Sequence, residues 1–103
     1  MFFKYFPTLG MATFYILYSK SINRYYIGSC LEIEKRISEH NNGKYIRSFT
    51  KRANDWEIYL VIENLEFDAS RQIEVYVKSM KSRKYIEKLK QYPELQLSLI
   101  KRF

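Results

Sequence analysis

Five polar side chains stand in an order that could do chemistry. Tyr15 sits in the tripeptide FYI (14–16) and Tyr26 in YIG (26–28), each inside an apolar run. Arg36 and His40 follow at i,i+4, which puts two side chains on one side of a helix. Glu74 comes later, in the pattern E-x-x-V-K. An arginine presents a planar, permanently charged fork suited to phosphate oxygens. A histidine can donate a hydrogen bond or carry a proton near neutral pH, and a lone carboxylate is the kind of oxygen ligand that Mg²⁺ accepts, with waters completing the octahedron. Each residue also has a plainer reading. Strand tyrosines usually pack with the hydroxyl at the rim, Arg36 and His40 fit a solvated helix face, and Glu74 can pair with Lys78 at i,i+4.

Composition removes several alternatives. Cys30 is the single cysteine and His40 the single histidine, so neither an internal disulfide nor a Cys/His zinc site can form within the chain. One unpaired cysteine fits a reducing cytosol, and a cytoplasmic location is expected. No nucleophile-elbow pattern accompanies His40, and Gly10, Gly28 and Gly43 are too far apart for a P-loop or a dinucleotide fingerprint. No apolar run reaches the roughly 20 residues that cross a bilayer, so no membrane association is expected.

The net charge is +7, which favours a polyanionic partner. It is concentrated in residues 1–52, with nine basic and three acidic side chains, against nine and eight in residues 53–103. The stretch KYIRSFTKRAND has four cations, Lys44, Arg47, Lys51 and Arg52, and no acid until Asp55. It reads as a mobile basic loop that holds a nucleic-acid backbone, with Tyr45 and Phe49 available to stack on a base. A solubilising charge run is the alternative.

These residues must be positioned by a small set of elements. ATFYILY (12–18) and YYIGS (25–29) read as strands joined by the polar turn SKSINR, and so as an antiparallel hairpin. WEIYLVIE (56–63) reads as a third strand covered on both faces, with Trp56, Ile58, Leu60 and Ile62 on one side and Tyr59 and Val61 on the other. Leu31 to His40 has helical spacing, with Asn41, Asn42 and Gly43 as its stop. A second helix follows Asp68 as N-cap, through Ile73, Val77 and Met80, and a third covers about Arg83 to Tyr92. Pro93 interrupts, and ELQLSLI forms a last turn or short helix. The order β-β-α-β-α-α predicts an α+β fold, a small three-stranded, mostly antiparallel sheet flanked by helices. Residues 1–11 read as an N-terminal extension, with Met11 an alternative start, 12–92 as the single domain and 93–103 as a tail or short helix.

The two tripeptides on adjacent strands, with Arg36 and His40 on the next helix and Glu74 on a later one, resemble the GIY-YIG nuclease superfamily. KSRKYIEKL (81–89) is similar to the ending of its small standalone bacterial members. The resemblance covers about residues 12–90. It implies a metal-dependent endonuclease hydrolysing DNA phosphodiesters with one divalent ion, Mg²⁺ or Mn²⁺, held by Glu74. It assigns Tyr26 as the base that activates water, Tyr15 as the residue that orients the water or Tyr26, and Arg36 and His40 to the phosphate and the phenols. A free phenol has a pKa near 10, so such a base needs nearby cations. Gly28 would let substrate or neighbouring backbone approach. Phe14 replaces the first glycine of the GIY tripeptide, Ser29 stands where some relatives have lysine, and no supporting Asn or Asp follows Glu74.

Other nuclease chemistries lack their residues. No Asp or Glu is followed two positions later by Lys, HNH chemistry needs more than one histidine, and no acid precedes Glu32 to build a two-metal cluster. The expectation is therefore that Tyr15, Tyr26, Arg36, His40 and Glu74 line one cleft. The partner would be DNA, with RNA left open and no obligate protein partner. A catalytically weak or inactive nucleic-acid-binding module of the same fold is the alternative, motivated by Ser29 and the missing Asn.

Overall fold

A computed structural model of the chain describes residues 11–43 and 49–103. The expected N-terminal extension, Met1 to Gly10, lies outside the described residues. The elements are β1 (Met11–Ser19), β2 (Arg24–Cys30), α1 (Ile33–Asn41), a 3-10 turn (Phe49–Arg52), β3 (Trp56–Glu66), α2 (Phe67–Met80), α3 (Arg83–Gln91) and α4 (Pro93–Arg102). This is the α+β order expected, with ELQLSLI part of a full ten-residue helix that Pro93 starts rather than prevents.

The three strands form one antiparallel sheet in the order β2-β1-β3, so β1 is central and β2 leaves one edge unpaired. Ser19 pairs with Arg24, leaving residues 20–23 as the turn, and Asn23 takes a left-handed φ of 52° there. Asp55 ties this turn to the start of β3, accepting hydrogen bonds from Ser19 Oγ (2.6 Å), Ser21 N (2.9 Å) and Ser21 Oγ (3.0 Å). The Ser19 hydroxyl bond, and then the Ser21 amide, hold its carboxyl below the usual range.

Strand alternation splits the apolar residues into two layers. One face carries Phe14, Ile16, Leu60 and Ile62 against Ile73 and Val77 of α2, Ile86 and Leu89 of α3, and Leu99 of α4. The other carries Tyr15, Leu17, Cys30 and Trp56, covered in part by Ile33 and Ile37 of α1. The expected cover on both faces is present.

The phase of β3 differs from simple alternation. Ile16 pairs with Leu60 but Leu17 pairs with Ile58, so Tyr59 is an extra residue in β3. A one-residue slip moves every preceding side chain to the other face. Trp56 therefore packs with Tyr15 and Val61 rather than with Leu60 and Ile62, and Ile58 is 45% exposed. A second irregularity, between Ala12 and Phe14, falls where Asn64 has a φ of 60°.

Helix boundaries also shift. The second helix starts at Phe67, so Asp68 is not its cap but lies in its first turn, where its charge complements the positive end of the helix dipole. That helix ends on Lys81 in the left-handed region, and the Ser82 hydroxyl then accepts from Tyr85 N (3.1 Å) to start α3. Asn41 does more than stop α1. Its Nδ2 donates to Trp56 O (3.1 Å) and its Oδ1 accepts from Trp56 N (2.7 Å), fastening the helix carrying Arg36 and His40 to β3.

Replacing Asn41 by Ala leaves both Trp56 backbone groups without these partners in a partly buried place. Urea unfolding of Asn41→Ala is expected to show a loss of about 1–3 kcal/mol. A change near zero would mean that the clasp does not hold α1.

Candidate active site

The hairpin register assembles the centre of the site. Tyr15 pairs with Gly28 and Leu17 with Tyr26, so Tyr15 and Tyr26 are diagonal neighbours on one face, their ring centroids 6.3 Å apart. A Cβ built on Gly28 would lie 2.5 Å from the Tyr15 hydroxyl oxygen and 2.6 Å from Cζ. The Tyr15 phenol therefore lies flat across Gly28. The expected close approach at Gly28 is real, but the group that makes it is the neighbouring strand's tyrosine rather than substrate or backbone.

Tyr15 is 1% exposed and its oxygen lies 3.0 Å from Nε2 of His40, itself 1% exposed. Burial, reinforced by the nearby Tyr26, raises the Tyr15 phenol well above its ordinary pKa, against a smaller lowering by the Arg36 charge and hydrogen bond. Burial, with Arg36 adding to it, lowers His40 to about 4, so the imidazole is neutral near pH 7. One assignment serves all three groups: Arg36 donates to the phenol oxygen, and the phenol O–H donates to Nε2. In this assignment His40 accepts from Tyr15 rather than donating to it, and its ring is sealed from solvent rather than set on a solvated helix face.

Tyr26 is placed differently. Its ring is half-buried, 4.8 Å from the His40 centroid and 6.4 Å from that of Trp56. Among the described residues its hydroxyl has no hydrogen-bond partner. One phenol is consumed inside the protein and the other remains open to a ligand. Arg36, partly exposed, also lies 3.6 Å from Glu39. Cys30 is buried beneath this cluster, and burial pushes its thiol up, away from the reactive thiolate.

Glu74 reaches the sheet from the other side. Ser29 follows Gly28, so its side chain points to the opposite face, where α2 packs. There Ser29 Oγ donates to Glu74 Oε1 (2.7 Å), Lys78 Nζ binds Oε2 (2.6 Å), and Arg71 Nε lies 4.0 Å from Oε1. The i,i+4 partnership with Lys78 is thus present, together with a contact to β2 that it does not explain. The five residues do not close one pocket from a single face. Tyr15, Tyr26, Arg36 and His40 gather on one face, and Glu74 meets the adjacent residue of the same strand on the other. Tyr26 and Ser29 belong to the same strand, β2, which lies at the edge of the sheet.

A metal can be tested against these residues. Among the described residues no group of three His, Cys, Asp or Glu could hold an ion. Mg²⁺ is commonly held by one carboxylate with waters and substrate phosphate rather than by a protein cage. Glu74 fits that mode: its side chain is 17% exposed, and each oxygen keeps a lone pair beyond the one used by Ser29 or Lys78.

Lys51 and Arg52 are exposed and line a polar groove of about 400 Å³ with Asn41, Asn42 and Gly43, at the end of α1 that carries His40. They belong to a 3-10 turn rather than an open loop. Lys44, Tyr45 and Arg47 lie outside the described residues. Two contributors were not singled out from sequence as contacts, Ser29 as the partner of Glu74 and Asn41 as the clasp on β3. The Tyr15–Gly28 pairing was within reach, because a turn at residues 20–23 sets it; Ser29–Glu74 had no local signal.

A family model described as the GIY-YIG catalytic domain matches residues 11–89 of the 103. No curated protein and no solved structure gives a significant match to the chain.

Two measurements probe this centre. His40 carries a folded pKa of about 4, below its ordinary 6.5, so the unfolded chain takes up the proton first as the pH falls. The associated stability is complete above pH 6.5 and is lost toward pH 4, on the order of 3 kcal/mol in all. Urea unfolding across that range is expected to show this loss in wild type and not in His40→Gln; parallel curves would exclude a buried neutral imidazole. Gly28→Ala places a methyl group against the Tyr15 ring and is expected to cost about 1–3 kcal/mol. Wild-type stability in that variant would contradict the packing described.

Proposed function

The chain belongs to the GIY-YIG family, a nuclease-type family acting on nucleic acid and generally using divalent metal ions, and from that membership we propose that it is an endonuclease hydrolysing DNA phosphodiesters. The observation that carries the residue-level reading is the contrast between the two phenols. Tyr15 is buried and bonded to His40, whereas Tyr26, on the strand whose Ser29 binds Glu74, has a hydroxyl without a hydrogen-bond partner among the described residues.

In this reading the scissile phosphodiester straddles the β2 edge. Tyr26 is the catalytic base in its phenolate form, taking the proton of the attacking water as the new P–O bond forms and the P–O bond to the departing oxygen, which takes up a proton from solvent, breaks. Arg36 is the catalytic cation beside it, holding a phosphate oxygen and balancing charge as the pentavalent state forms. Tyr15 and His40 complete the site as positioning residues. Their hydrogen bond fixes the tyrosine pair and the Arg36 guanidinium, so little reorganisation is needed during reaction. Glu74, steadied by Ser29 and Lys78, would hold a single Mg²⁺ or Mn²⁺. When bound, such an ion supplies Lewis-acid stabilisation of the phosphate charge. Lys51 and Arg52, with Lys44 and Arg47 of the same basic stretch, hold the flanking backbone. Among the described residues no helix is long and apolar enough to cross a membrane, and the cytoplasmic setting is proposed from the single cysteine, Cys30.

A second reading, a binding module with little turnover, is favoured by one observation. Ser29 gives Glu74 a neutral hydroxyl partner where some relatives have a lysine. The two separate in one experiment: Mg²⁺-dependent cleavage of a panel of branched, nicked, duplex and single-stranded DNA. Tyr26→Phe, Arg36→Ala and Glu74→Ala are each expected to lose about 10²–10⁴-fold in rate while binding DNA. If wild type binds but cuts nothing, the module reading replaces the enzyme; if the variants cut as wild type does, the assigned residues are wrong.

A further inference from the structure

We propose that the β2 edge continues past the candidate active site into a second phosphate-binding groove, formed by Arg24, Lys81 and Arg83, that carries nucleic-acid backbone. This rests on the nucleic-acid reading above and adds a path for the substrate that neither the family match nor the tyrosine cluster supplies. The groove has a volume of about 290 Å³ between β2 and the α2–α3 turn, and Lys78 also lines it. None of its lining residues is acidic. Lys78 is committed to Glu74, which joins this groove to the carboxylate at the other end of the edge. Among the described residues, Arg24, Lys81 and Arg83 have no carboxylate within salt-bridge distance.

Two features distinguish this groove from an ordinary solvated charge run. Arg83 is held in place: Nη1 and Nη2 donate to Asn23 O and Asn23 Oδ1, both at 2.9 Å, and the guanidinium lies 4.9 Å from the Tyr25 ring centroid. A guanidinium has five N–H donors, so a fixed fork retains donors for a ligand, with little side-chain entropy left to lose on binding. Lys81 occupies a left-handed position, φ 49°, that glycine would fill without strain. A cation is kept there at a backbone cost of about 1 kcal/mol.

The dimensions suit a polynucleotide. From Ser29 to Arg24 is five residues of strand, about 17 Å, which matches the axial length of roughly five phosphates on one strand of a duplex. A backbone running along this edge from Glu74 reaches Arg24 and Arg83.

The test is the salt dependence of binding to a short fluorescent duplex, in EDTA so that nothing is cut. Each phosphate contact contributes about 0.9 to the slope of log K against log salt. The Arg24→Gln, Lys81→Asn double variant is expected to lower that slope by about two and to weaken binding uniformly across sequences. Asn tolerates the left-handed backbone, and Arg24→Gln alone, expected to lower the slope by about one, leaves the α2–α3 turn untouched. Lys88→Gln with Lys101→Gln removes the same charge from exposed positions that do not line the groove and is expected to keep the wild-type slope. An unchanged slope in the groove variants, or an equal fall in the control pair, overturns the groove and leaves the nuclease reading standing. A wild type that shows no salt-dependent DNA binding removes both.

Discussion

The Tyr15 phenol lying across Gly28 is the contact on which the rest of the site depends. A central strand of a covered sheet has little space for a large polar side chain, and here the space exists because the opposing residue has no Cβ. With the ring pressed against the neighbouring strand, its hydroxyl is buried and requires a partner. His40 provides it at 3.0 Å, which fixes the rotation of α1 against the sheet. Arg36, one turn earlier on that helix, is thereby directed to the same oxygen. The glycine of the YIG tripeptide therefore acts through packing.

Burial then divides two chemically identical phenols into different roles. Diagonal placement on one face keeps the rings near each other, but only Tyr15 is sealed beneath the helix. Tyr26 is half-buried and its hydroxyl has no hydrogen-bond partner among the described residues. Glu74 meets the same strand from the opposite face, through Ser29. In a central strand, side chains on opposite faces would be separated by the neighbouring strands; at an edge, one ligand can contact both.

Much of the architecture was legible in local sequence. The paired apolar runs and the polar turn specify the hairpin, and helical spacing around Ile73, Val77 and Met80 specifies α2. Sequence pattern and structure part where a single residue changes the count. The extra residue Tyr59 moves Trp56 to the tyrosine face, because alternation carries no memory across a bulge. Asp68 has the chemistry of a cap but falls inside the first turn, since β3 runs directly into the helix. Asn41 looks like a helix terminator, and its hydrogen bonds to the Trp56 backbone depend on a strand that begins fifteen residues later.

Sequence alone determined the inventory: which residues can do chemistry, and which strands and helices carry them. These follow from periodicity and turn geometry, which act over a few residues. Tertiary structure decided that Tyr15 is closed and Tyr26 open, that His40 is buried and neutral, and that Glu74 is tied to Ser29 across the strand. Those properties depend on solvent exclusion and on contacts between distant elements, which arise only when the helices close over the two faces of the sheet.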